Sequence, residues 1–246
     1  MKQWLAESIT LIIIMTLIMI PLVYITTHIP VPKSNDWRDN YPMCQYKNWN
    51  TEQRIYYKIM LHEIKRDAPY KGDEEIETLA TLLVSFSKHI PYYTALIYTE
   101  SVLPGKWKHR RGKIITIRKP QFWHNFTIRD DGGSPSIGYP KIKLSTIRSV
   151  CRMRGERPPR SIWEIDIHKI YWKVKIFDWS ATHFDYIVSV FKNEIDAIGA
   201  YKYGIKEYKR WKRRRWQSAY PWKYIGDALI KVARYQRLYI EYAINH

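Results

Sequence analysis

Cysteine is nearly missing from this 246-residue chain, which has only Cys44 and Cys151. Two residues so far apart exclude a zinc knuckle and a redox C-x-x-C motif. In an oxidising compartment they could pair and close a long loop, a stabilisation of about 4 kcal/mol on a chain-entropy argument. Two separate buried thiols are the alternative. The eight histidines form no H-E-x-x-H and no other ligand spacing, so neither a metal nor a cofactor is expected. Internal repeats and low-complexity tracts are also missing, apart from one basic run, KRWKRRRW at 209–216. Acidic residues are scarce beside basic ones, 23 against 41, and the resulting net charge of +18 implies an anionic partner. Nucleic acid, a membrane surface and a carboxylate- and phosphate-rich cell wall all qualify. The length suits one good-sized globular domain with appendages rather than two full domains.

Only one long apolar run is present. ITLIIIMTLIMIPLVYITT, Ile9 to Thr27, carries no charge and is close to the roughly 20 residues that span a bilayer. HIPVPKSNDW follows it with no A-x-A cleavage pattern, so residues 1–30 are expected to be an uncleaved transmembrane anchor rather than a signal peptide. Pro21 is tolerable in such a helix. Lys2 on one side and Lys33 and Arg38, offset by Asp36 and Asp39, on the other leave the orientation undecided by charge.

Beyond the anchor the pattern is mainly helical. Residues 31–72 read as a proline-rich stalk or wrapping segment and a leading helix over 51–65, with Ile55, Ile59 and Ile64 on one face and Asn50 or Thr51 as cap. Residues 73–89 carry Ile76, Leu79, Leu83 and Phe86 on one stripe. The β-branched runs and the Gly-Gly turn between 113 and 133 read as a hairpin or extended excursion. Further helices are expected at 145–151, 161–177, 182–191 and 194–208. A last amphipathic helix over 222–244 has Ile225, Ala228, Leu229, Val232 and Tyr239 in register.

One apolar stretch ends on an acid. In PYYTALIYTES, residues 91–101, Tyr92, Ala95, Leu96, Thr99 and Leu103 share one helical face, and Glu100 sits one turn past Leu96. The helix ends nearby, before Pro104 and Gly105. Both the negative pole of the helix and apolar surroundings disfavour the carboxylate relative to the carboxylic acid, the form that a general acid needs.

Three stretches together resemble the lysozyme-like lytic transglycosylases. PYYTALIYTES is similar to the helix and Glu-Ser step of that family. GYPKIKLST, residues 138–146, resembles its second motif, G-L-M-Q followed by I-x-P/L-x-T. AIGAYKYG, residues 197–204, resembles A-x-x-A-Y-N-x-G. The three occur in family order within residues 73–208. The resemblance implies a lysozyme-like domain in which Glu100 is the sole catalytic acid/base, Ser101 orients substrate or acid, and Tyr201 hydrogen-bonds near Glu100. Gly138, Tyr139 and Lys141 fall on the second motif as substrate-side residues. Tyr139, Pro140 and Lys141 stand where the family has Leu-Met-Gln, and Lys202 stands where it has asparagine.

The expected architecture is thus an N-terminal transmembrane helix, a mainly α, lysozyme-like (α+β) domain with a small β excursion, and a basic segment with a C-terminal helix at 209–246. The expected activity is lytic cleavage of peptidoglycan glycan strands. Partners would be those strands, the membrane, and a secretion or conjugation apparatus or a phage component that opens the wall during entry; nucleic acid is disfavoured. The catalytic domain would face the periplasm or cell wall, with a phage virion membrane as the alternative. Two rival readings stand beside it. One is a muramidase on the same fold, in which Asp130 or Asp131 supplies the second carboxylate that such hydrolysis needs. The other is an inactive, basic, membrane-tethered binding protein working through KRWKRRRW.

Overall fold

The computed structural model describes residues 36–102, 106–110, 113–118, 128–129, 135–214 and 220–245. The expected anchor over 1–30 lies outside them, as do Asp130 and Asp131. Among the described residues, no helix is long and apolar enough to cross a membrane. The architecture is mainly α, with two small antiparallel sheets.

Residues 42–49 wrap the body through two 3-10 turns, Pro42–Cys44 and Tyr46–Asn48, and bury Cys44, Tyr46 and Trp49. Helix α1 (Thr51–Asp67) then starts on a reciprocal cap: Asn50 Oδ1 accepts from the Gln53 amide at 2.8 Å, and Gln53 Oε1 accepts from the Asn50 amide at 3.1 Å. Two donors that the helix cannot satisfy are thereby paired. Helix α2 (Asp73–Ser85) opens with Asp73, Glu74 and Glu75, which suit the positive pole of the helix. It ends four residues sooner than the apolar stripe suggests. Asp185 explains this, because its carboxylate accepts from the Ser87 hydroxyl at 2.8 Å and the Lys88 amide at 3.4 Å, drawing the chain out of the helix. Helix α3 (Ile90–Ser101) follows at once, with Pro91 in its first turn.

The β excursion begins earlier than expected. Strand β1 (Lys106–Arg110) pairs with β2 (Lys113–Arg118), and short strands β3 (Ile128–Arg129), β4 (Ser136–Ile137) and β5 (Ile142–Lys143) form a second sheet in that order. Helix α4 (Leu144–Arg154) leaves β5 directly and stops at Gly155, whose φ of 67° is the left-handed conformation that glycine adopts without strain.

The stretch from 161 to 191 also differs from the periodicity reading. Residues 161–177 and 182–191 are not two helices. A 3-10 turn, Ile162–Glu164, precedes one unbroken helix, α5 (Ile170–Phe191). The start is delayed because Asp166 Oδ1 accepts from the His168 amide at 3.0 Å, a local bond that competes with helix. The apparent break at 178–181 vanishes because α5 is buried on two sides. Val174, Phe177, Ala181, Phe184 and Val188 join the main core with α1, α2, α3 and helix α6 (Glu194–Tyr203), while Ile176 and Trp179 join a second core with Ile137, Ile142, Ile147 and Val150. A helix buried on two faces has no single stripe to read. Cys44 lies in the first core and Cys151 in the second, both as free thiols.

Residues 194–208 likewise split, at Gly204 with φ 82°, into α6 and α7 (Ile205–Arg213). The bend folds Tyr208 back over α6, where its hydroxyl donates to Asp196 Oδ1 at 3.0 Å. Helix α8 (Tyr220–Asn245) closes the main core with Ile225, Ala228, Val232 and Tyr235. Arg234 of α8 grips the buried Glu63 of α1 with two bonds, of 2.6 and 2.9 Å.

Two glycines give a direct test of this packing. A Cβ on Gly199 would stand 2.2 Å from the Tyr208 ring, whereas one on Gly226, inside α8, would meet nothing within 4 Å. Gly199→Ala is expected to lower stability by about 2 kcal/mol through overpacking, and Gly226→Ala to raise it by about 0.5–1 kcal/mol through helix propensity. Urea unfolding midpoints measure both; equal effects would mean that α7 does not fold back on α6.

Candidate functional site

Glu100 ends up at the floor of a cleft of about 330 Å³ between the two cores. The last turn of α3 brings it there, and its side chain is only 3% exposed. A buried carboxylate needs charge and hydrogen-bond partners, and this one has three. Tyr224, in the second turn of α8, donates to Oε1 at 2.6 Å. Lys202 of α6 bridges both oxygens, at 3.0 Å from Oε1 and 3.2 Å from Oε2. Lys141, from the turn between β4 and β5, places Nζ 3.7 Å from Oε2. The surroundings at the helix end are therefore cationic and phenolic as well as apolar; Lys141, standing where the family has glutamine, supplies one of the cations that favour the ionised acid.

The second stretch is held in place by its backbone. Gly138 has φ 71° and Lys141 has φ 46°, and the Lys141 amide donates to the Gly138 carbonyl at 3.1 Å, making a tight turn between the paired Ile137 and Ile142. A lysine in the left-handed region is uncommon and costs on the order of 1 kcal/mol. Here that conformation accompanies an ammonium aimed at Glu100.

Tyr201 fixes the third stretch to the second. Its hydroxyl donates to the Pro140 carbonyl at 3.0 Å, so the contact of 2.8 Å with Ser180 Oγ is one in which the serine donates. One phenol thus ties α6, α5 and the β4–β5 turn together at the cleft wall. Burial pushes its pKa up, with a smaller push from the negative charge of Glu100. Burial likewise raises Tyr224, and the charge of Glu100 adds to the effect.

The structure brings Glu100, Lys141 and Tyr201 to one cleft, and parts the other residues singled out from sequence. Ser101 is buried, and its hydroxyl donates back to the Tyr98 carbonyl at 2.8 Å, away from the cleft. Tyr139 points the other way from Lys141; its hydroxyl is 3.4 Å from Glu75 Oε1 and its ring lies beneath Lys71. Gly138 shapes the turn without lining the cleft. Tyr201 is near Glu100 without hydrogen-bonding to it in any described contact; Tyr224 makes that bond instead. Glu100 is the only acid among the described residues lining the cleft. Among those residues no three His, Cys, Asp or Glu side chains gather as a metal site requires.

No protein-family model, no curated protein and no solved structure matches this chain. The site therefore has to be read from its own geometry.

Sequence reasoning missed Tyr224 and His183 as site residues, and noted Lys202 only as a departure. Tyr224 lies 124 positions from the acid that it bonds, with no local pattern to mark it. His183 lines the cleft from α5, its ring centroid 5.5 Å from that of Tyr201. Burial pushes its imidazole down to about 4, so it is a neutral cleft wall at neutral pH.

That depression carries a pH dependence of known sign. The unfolded chain takes up a proton near pH 6.5 and the folded chain does not, so the folded state is favoured fully above pH 6.5 and loses stability as pH falls toward 4. The loss is at most about 3 kcal/mol, reduced by the partial exposure of the ring. Urea unfolding from pH 7 to 4 is expected to show this slope in the native chain and a shallower one in His183→Asn. An NMR titration of the His183 ring with a midpoint near 6.5 would refute the burial argument.

Proposed function

We propose that the chain is a membrane-anchored peptidoglycan lytic transglycosylase of lysozyme-like type, with Glu100 as its single acid/base. The observation that carries this reading is the convergence of three motif-like stretches, far apart in sequence, on one buried glutamate in an open cleft. A lone carboxylate suits the chemistry. Glu100 gives its proton to the glycosidic oxygen between N-acetylmuramic acid and N-acetylglucosamine, and the C1–O bond breaks. The C6 hydroxyl oxygen of the same muramoyl unit then bonds to C1 while Glu100 takes back the hydroxyl proton, leaving a 1,6-anhydro end without water. A hydrolase of the usual type needs a second carboxylate across the bond, and none lines the described part of the cleft.

His183 and Tyr201 supply a rigid, uncharged wall, and Lys143 and Lys202 an electropositive one suited to an anionic glycan. In this reading the anchor is N-in and C-out, so that the body lies outside the inner membrane. The basic residues of α7, Lys206, Lys209, Arg210 and Arg213, would meet the wall's own anions.

One observation favours a second reading. Lys141 and Lys202 both pair with Glu100, as they would if the glutamate were a structural counter-ion in an inactive, basic, membrane-tethered binding protein.

Product analysis separates these readings. The full chain is expected to release 1,6-anhydromuropeptides from purified sacculi, and Glu100→Gln to lower that release about 10²- to 10⁴-fold, the usual loss when a general acid/base is removed. Glutamine keeps an acceptor for Tyr224, so the variant should stay folded. Reducing-end muropeptides would replace the transglycosylase with a muramidase. No product from a folded native chain would leave the binding protein.

A further inference from the structure

A second cleft, of about 310 Å³, lies between the N-terminal half of α5 and the chain that follows α4. One wall is aromatic, formed by Tyr171, Trp172 and Trp179; Pro158 and Pro159 also line the space, and the polar groups are Glu156, Glu164, Arg157 and Lys175. We infer that this cleft is a second sugar site, taking a neutral pyranose ring of a glycan chain. The inference extends the transglycosylase reading and rests on it for the identity of the chain as peptidoglycan, but not for the binding itself.

The aromatic wall is built before any ligand arrives. The ring centroids of Trp172 and Trp179 are 6.3 Å apart, and Tyr171 packs edge-on against Trp172 at 5.2 Å. Tyr171 is nonetheless 47% exposed and Trp172 partly so, which leaves ring surface for a ligand, while Trp179, only 3% exposed, backs the wall from the second core. The polar edge is equally fixed. Glu156 accepts from the Trp179 indole N–H at 3.2 Å and pairs with Arg154 at 2.9 Å and Lys175 at 3.6 Å; Glu164 accepts from the Arg160 amide at 3.0 Å. Rings and polar groups held in this way lose little freedom when a ligand binds.

Such a wall and edge match the two aspects of a pyranose. Its axial C–H face lies on an aromatic ring, and its equatorial hydroxyls need donors and acceptors around the perimeter, which the two acids and two bases provide. Nucleobases also stack on aromatic rings, but single-stranded nucleic acid sites add a positive groove for the backbone. The described lining here balances, Glu156 and Glu164 against Arg157 and Lys175, on a chain whose net charge is +18. A locally balanced edge on so basic a protein suits a neutral ring rather than a phosphate backbone.

Placement relates the two clefts. Trp172, Lys175, Trp179 and His183 follow one another at three- and four-residue steps, so one stripe of α5 lines the second cleft and then the first.

The test uses the full chain carrying 15N-labelled tryptophan and histidine side chains, titrated with chitotetraose, a neutral β-1,4-linked N-acetylglucosamine tetramer. The Trp172 and Trp179 indole signals, assigned with Trp172→Phe and Trp179→Phe, are expected to move. Tyr171→Ala, an exposed truncation, should raise the midpoint of that movement about tenfold, the loss of one stacking ring, while leaving the response of His183 unchanged. A response at His183 with none at Trp172 or Trp179 would overturn the second site. So would a Trp172 signal that answers to a single-stranded oligonucleotide and not to chitotetraose. Sacculi that yield no product while Trp172 still responds would remove the transglycosylase and keep the sugar site; products without that response would do the reverse.

Discussion

A carboxylate taken out of water must be matched by charge or hydrogen bonds, and much of this architecture follows from meeting that requirement twice. Glu63 and Glu100 are 1% and 3% exposed. Their partners come from distant parts of the chain: Arg66 and Arg234 for the first, Lys141, Lys202 and Tyr224 for the second. Helix α8 serves both acids and adds Lys231 to Asp67 at 3.2 Å. Its apolar stripe supplies the burial, and these polar contacts select the register in which it docks, because sliding it by one turn would strand two buried charges.

What could be read in advance followed from how many sides of each helix are buried. Helices α1, α2 and α8 show a readable apolar face, and their positions were legible to within a few residues; α3 is buried on nearly every side, with Tyr92 and Thr99 of its expected face the least covered, and Pro91 in its first turn marks its start. Helix α5 packs against both cores, so its apolar residues fall on two faces and not on one stripe, and its true length was hidden. Gly204 looked like the end of a motif and is in fact a hinge point between α6 and α7. The second sheet's tiny strands were too short to carry any alternation.

The candidate site was legible in the same uneven way. Glu100, Lys141 and Tyr201 came to notice because they sit in ordered motif-like stretches. Tyr139 came with them and is turned away, because neighbouring residues in the tight turn project to different sides. Tyr224, which bonds Glu100, and His183, which lines the cleft, come from elements with no motif of their own, and only the tertiary fold brings them to the site. The cationic surroundings of the acid were half visible: Lys141 and Lys202 could be seen as departures from a pattern, but that both would pair with one carboxylate could not.

Helix α5 also acts as a gauge. Lys175 in one cleft and His183 in the other are eight residues apart on an unbroken helix, which sets them about 12 Å apart along its axis. Since α5 is clamped between two cores, that spacing cannot stretch or flex as a loop would. A polymer touching both clefts would be held in a fixed phase relative to Glu100, so the repeat length of the chain, and not its local chemistry alone, would decide which bond comes to rest over the acid.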